Sequence, residues 1–136
     1  MTYFHSKGHP EVVNYICWNA NGDVLASMSQ NLVKNWSLTS GECTQELISN
    51  TCQFHSCIFH PIYSNLLVMG ETSCIGLWNM AEHKSMAISA HENIISALAQ
   101  SSVTGMVASA SHDSSVFFVT QLSFLTGKEM GKFAIK

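Results

Sequence analysis

Charge is what this chain has least of. Only 11% of its 136 residues are Asp, Glu, Lys or Arg, against about a quarter in average globular chains. Lys and Arg together number six, no basic run occurs, and the net charge is −3. A nucleic-acid groove needs several cationic phosphate contacts, so direct nucleic-acid binding is excluded and any work near DNA runs through other proteins. Long apolar runs are missing as well; none approaches the roughly 18 residues that span a bilayer, so no membrane partner is expected. The opening MTYFHSKGHP lacks a cationic start followed by an apolar core, and no secretory leader is expected from it.

What is present is apolar and polar-uncharged. Hydrophobic residues make up 46% of the chain, too many for a disordered segment. Cys17, Cys43, Cys52, Cys57 and Cys74 are odd in number and irregularly spaced, which reads as free thiols in a reducing compartment. A second absence directs the reading further. No stretch repeats its apolar residues three and four apart over a dozen positions, so helices are not expected.

Internal repetition fills that gap. VNYICWNANGDVLASMSQNLVKNW, FHSCIFHPIYSNLLVMGETSCIGLW and ISALAQSSVTGMVASASHDSSVFFV begin at Val13, Phe54 and Ile95, 41 residues apart each time. They end at Trp36, Trp78 and Val119, 42 and 41 apart. Each holds an alternating run, a turn, a small-and-apolar run, a second polar turn and another alternating run. Between copies lie GECTQELI and HKSMAIS, each long enough for one further strand. Four short strands per forty-odd residues make an all-β repeat.

Gly8-His9 ahead of the first copy and Trp36 at its end, with Ala90-His91 and His112-Asp113 in the third, frame a unit that resembles the WD repeat. More narrowly, the runs CWNANGDVLASMSQ, FHPIYSNLLVMG, LWNMAEHKSMAISAHE and GMVASASHD are similar to the carboxy-terminal blades of plant transcriptional corepressors of the Groucho and Tup type. The resemblance spans roughly residues 8 to 119. It implies a partial β-propeller of about three blades, each a four-stranded antiparallel sheet, with repeats over approximately 8–48, 49–89 and 90–119 and a divergent tail over 120–136. Propellers close with typically four to eight blades, so this one is expected to be unclosed and the chain to be a fragment of a longer protein.

The resemblance also implies a buried hydrogen-bonded set of His, Ser or Thr, Asp and Trp in each blade. In the first copy His9, Ser27 and Trp36 fit, with Asn31 where Asp is expected. The second retains Trp78 alone, with Asn50, Met69 and Thr72 at the other places. The third has His91, Ser109 and Asp113 but Val119 in place of Trp. Family geometry further places Lys7, Glu11, Gln30, Thr72, Glu92 and His112 near one rim, as candidates for partner contact.

Catalytic and metal-binding readings are weaker. CQFHSCIFH packs Cys52, His55, Cys57 and His60 into nine residues, yet lacks the paired ligand knuckles of a zinc site. It coincides with a strand in which alternation puts His55 and Cys57 on one face and Phe54, Ser56 and Ile58 on the other. Cys57 with His60 has no third orienting group for nucleophilic catalysis. His112-Asp113 fits a strand-to-strand turn. TSGEC and LTGKEM are not phosphate loops. Trp18 and Tyr15 are read as buried in a strand, and Asn35 as sitting on an edge or against water. After Val119, Leu122, Phe124 and Leu125 have the pattern of a last strand.

The expectation is therefore a non-catalytic protein–protein interaction scaffold, related to a nuclear corepressor that represses through partner proteins. No cofactor, metal or small-molecule substrate is expected. The alternatives are a generic adaptor such as a ubiquitin-ligase substrate receptor, with a cytoplasmic location open to it, and a Cys/His metal or thiol enzyme.

Overall fold

The computed structural model describes residues 8–119 and the backbone of Lys132–Phe133. The elements described are strands. β1 (Tyr15–Trp18), β2 (Val24–Met28), β3 (Leu32–Ser37) and β4 (Cys43–Ile48) form one antiparallel sheet in chain order. β5 (Phe54–Phe59), β6 (Leu66–Asn79), β7 (Lys84–Gln100), β8 (Val107–Ser111), β9 (Val116–Val119) and β10 (Lys132–Phe133) form a second, in which each strand also lies beside its chain neighbour. The turns between them carry the expected residues: Gly22, Gly41 and Gly105 all have φ near +70°, where a side chain is disfavoured.

Two strands of the second sheet each do the work of two. Fully extended, the 14 residues of β6 would reach about 45 Å. Instead Met80 N donates to Asn65 O at 2.9 Å, so the strand doubles back, turning at Ser73 with φ 69°. Its first arm pairs with β5 through Leu67–Glu71, its second with the early part of β7 through Cys74–Asn79. β7 then shifts register and pairs its later part, Ile95–Gln100, with β8. The second sheet thus holds two four-stranded blades joined by β7, and with the first sheet the chain is a partial, unclosed propeller of three blades.

Alternation explains how the blades stack. Ala26, Met28 and Val33 of the first blade meet Cys57, Phe59, Leu67, Met69 and Trp78 of the second in one buried cluster. Val68, Ile75 and Leu77, from the opposite face of the second blade, meet Ile95, Val107, Phe117 and Val119 of the third in another. Period-two strands with both faces buried give such two-sided apolar runs.

Three local expectations are corrected, and a fourth falls outside the described residues. A bulge leaves His55 unpaired, with Phe54 opposite Glu71 and Ser56 opposite Gly70. Phe54 therefore packs on the same side as Cys57, not the opposite one, because the extra residue resets the alternation. Asn35 is neither at an edge nor open: it is 2% exposed, its Nδ2 contacts Met80 Sδ, and its Oδ1 has no partner. Trp18 is 52% exposed, lying on the outer face of the first blade beside Ile16, while Tyr15 is half-buried. Leu122, Phe124 and Leu125 lie outside the described residues, and the strand seen against β9 is β10, through Lys132↔Phe117 and Phe133↔Val116.

Candidate partner-binding rim and the blade networks beneath it

In the first blade Trp36 Nε1 donates to Ser27 Oγ at 2.8 Å, and that hydroxyl lies 2.6 Å from His9 Nε2. The other ring nitrogen, Nδ1, meets Ser29 Oγ at 3.0 Å. Ser29 was not among the expected members, although its place two residues along the same strand face was readable from alternation. Burial holds His9 below its ordinary pKa, with Lys34 adding to the effect and Glu46 opposing it. Asn31, expected in the Asp position, is exposed and outside the network. The reason is turn length. Ser27 pairs with Lys34, whereas Ser109 in the third blade pairs with Phe117, so the first turn is one residue shorter and Asn31 does not fold back over the imidazole.

The third blade has that extra residue and a carboxylate to use it. His91 Nδ1 lies 3.0 Å from Asp113 Oδ2 and 2.9 Å from Ser115 Oγ, and Nε2 lies 2.9 Å from Ser109 Oγ. Asp113 also accepts from the backbone N–H of Glu92 at 3.0 Å and of Ser115 at 2.9 Å. Its carboxyl is held below the usual carboxylate range by the Ser115 hydroxyl first, then by Glu92 N–H and His91, against the opposing effect of burial. Val119, where Trp was expected, is buried in the apolar cluster. The Ser109 hydroxyl has no indole to accept from there, and it turns to Phe117 O at 3.4 Å. In the second blade Trp78 and Met69 are buried in the core, and Asn50 and Thr72 are exposed.

In the first and third blades these networks clamp the links that carry the candidate rim residues. Glu11, Gln30, Thr72, Glu92 and His112 are all exposed; Lys7 lies outside the described residues. Glu11 and Gln30 flank one polar hollow of about 360 Å³ with Asn31, Asn50 and Gln53. Thr72 is brought to His55, Oγ1 to Nε2 at 3.1 Å. Burial first, and then nearby His112, keep the His55 pKa below its ordinary value. Thr72 N–H also donates to the backbone carbonyl of Gln53 at 3.2 Å, and Gln53 lines the hollow beside Glu11 and Gln30. His55 was missed as a rim residue because its bulge is invisible in the alternation.

Comparison with known proteins fits this geometry. No family model matches the chain. Two solved structures, the crystal structure of RRP9 WD40 repeats and the structure of U3-55K, superpose on 95% of it with TM-scores of 0.82 at 16% identity, over 40% and 41% of their own lengths. Over 110 residues, 81% of the chain, it is 54% identical to the transcriptional corepressor LEUNIG_HOMOLOG of Arabidopsis thaliana. The chain is a run of WD repeats. It spans 14% of the length of that Arabidopsis relative.

Within these WD repeats the Cys/His stretch is dispersed. His60 Nδ1 accepts from the backbone N–H of Ile62 and Tyr63 at 3.1 and 3.0 Å. Burial lowers its pKa to about 4, against a backbone hydrogen bond to Gly105 that raises it. Cys57 faces across the blade interface, its Sγ 3.2 Å from Cys17 Sγ. Its thiol is pushed far up by its hydrogen bond with Cys17 and by burial, the reverse of what a thiolate nucleophile needs. His55 turns to Thr72. The strand therefore sends its ligand-type side chains in different directions.

Proposed function

We propose that this chain acts as a non-catalytic protein-interaction scaffold, in the nucleus, within a corepressor assembly that silences transcription through partner proteins. The observation that carries the reading is the set of exposed polar side chains Glu11, Gln30, Glu92 and His112 on links anchored by the histidine networks of the first and third blades, with Thr72 held by His55 in the second. Binding residues on short loops over a rigid frame lose little entropy when a partner docks. Similarity to a protein named as a transcriptional corepressor supplies the biological setting. Scarcity of cationic residues supports partner proteins, not DNA, as what is held.

Tethering the chain to a heterologous DNA-binding domain at a reporter promoter in plant cells tests this. Repression is expected, and it should weaken when Glu92 and His112 are changed together to alanine. A reporter that is unaffected by the tethered, expressed chain would sink the proposal.

A further inference from the structure

Between the first and second blades lies a groove of about 420 Å³ whose walls include Leu47, Ile48, Met69 and Ala87, with Glu71 at its floor. Three observations distinguish it from an ordinary cleft. The first is Glu71 itself, which is 8% exposed and makes no side-chain hydrogen bond or ion pair with any described residue. Its pKa is raised to about 7 by burial, with no charged neighbour contributing. Buried carboxylates are ordinarily paired, so this one stands without a counter-ion among the described residues.

The second observation is what occupies the matching place in the other blades. Trp78 follows Met69 by the same nine residues that separate Trp36 from Ser27. Met69 and Glu71 therefore stand where Ser27 and Ser29 stand in the first blade, the two hydroxyls that receive His9. In the third blade His91 fills the corresponding slot on Ser109. The second blade has no histidine there: Asn50 and Thr51, in the link that would deliver it, are exposed.

The third observation is space made for the carboxylate. A Cβ at Gly76 would sit 2.9 Å from Glu71 Oε1 and 3.0 Å from its Cδ and from Met69 Cε, so the carboxyl lies close over bare backbone and would have to shift if a side chain stood there. Of the apolar lining, Ile48 is 59% exposed, and Ser49, Asn50, Thr51 and Ser85 supply the polar part of the walls.

We propose that this slot receives a lysine or arginine side chain of a partner polypeptide, inserted between flanking apolar residues and paired with the Glu71 carboxylate in place of the absent histidine. The proposal deepens the scaffold reading by naming the chemistry of one contact. A long cationic side chain suits the site because its methylenes lie along Leu47, Ile48 and Met69 while its head reaches the floor. Partial desolvation strengthens the pair relative to one on the open surface.

The test is selection of short linear peptides displayed against the full chain, followed by fluorescence-anisotropy titration of the winners. Selected peptides should share one Lys or Arg between apolar residues. Glu71→Gln should weaken their binding about tenfold, the loss expected when a partly buried ion pair is broken. Ala87→Trp, at an exposed wall position, should weaken it as much by filling the groove without altering charge. Replacing the basic residue by norleucine should bring the same loss, and no further loss when combined with Glu71→Gln. Peptides without a basic residue, peptides indifferent to both variants, or no selected peptide at all would each overturn the proposal. Binding indifferent to both variants but abolished by alanine at Glu92 and His112 would remove the slot and leave the scaffold reading standing.

Discussion

Glu71→Gln is expected to stabilise the fold, and to do so only above mild acid. A carboxyl whose pKa rises from 4.5 unfolded to about 7 folded binds more protons in the native state between those values. Stability therefore falls as pH rises from 4.5 to 7, and the lost increment stays lost above 7. At 1.36 kcal/mol per pKa unit the full shift corresponds to about 3.4 kcal/mol. Discounted for the water that reaches the groove, roughly 2 kcal/mol is expected. Glutamine is nearly isosteric and pays no such ionisation penalty. Thermal unfolding followed by circular dichroism at pH 8 should show the variant melting roughly 8 °C higher, and at pH 4 the two curves should nearly coincide. His60 sharpens the comparison. Its pKa falls from 6.5 to about 4 on folding, so its contribution is present above 6.5 and is lost as pH drops toward 4. The two groups slope oppositely over pH 4.5–6.5, so the Gln variant should gain stability with rising pH more steeply there than the parent chain. An offset in melting temperature that is the same at pH 4 and pH 8 would refute the reasoning.

Asp113→Asn should lower the melting temperature at neutral pH and remove the loss of stability on acidification below about pH 4, since its depressed carboxyl contributes above the unfolded value near 3.9; melts from pH 2 to 7 check this. Trp36→Phe, which removes the indole donor to Ser27, should cost about 1 kcal/mol in urea unfolding. Asn35→Leu, replacing a buried amide whose Oδ1 has no partner, should gain about 1 kcal/mol in the same measurement. Diamide treatment should join Cys17 to Cys57, whose sulfurs already touch at 3.2 Å, leaving Cys43, Cys52 and Cys74 open to alkylation in peptide mapping.

The repeat was legible because it rests on period-two alternation and turn residues, which a linear string displays directly. Trp36, Ser27 and His9 come together as the WD resemblance implied. What stayed hidden depends on counting residues between strands in space. One residue of turn length separates Asn31, exposed, from Asp113, folded onto His91, and the segments QN and HDS do not announce that difference. The bulge at His55 and the bare carboxylate of Glu71 are of the same kind. Glu71 sits in GETS as an ordinary turn acid, and only the neighbouring blade and the missing histidine leave it buried with no partner among the described residues.

The continuous course of β7 bears on how the molecule breathes. The second and third blades share backbone pairing along one strand of 17 residues. The first blade meets the second mainly through side chains and through isolated backbone contacts such as Phe54 N to Gln30 O at 2.8 Å. In a stack of repeats each joint has its own opening free energy. Amide hydrogens of β2 and β3 should therefore exchange with solvent together and sooner than those of β6 through β8. The weak joint is the one that carries the Glu71 slot, so a polypeptide wedged there would act as a splint across the seam where the chain comes apart most readily.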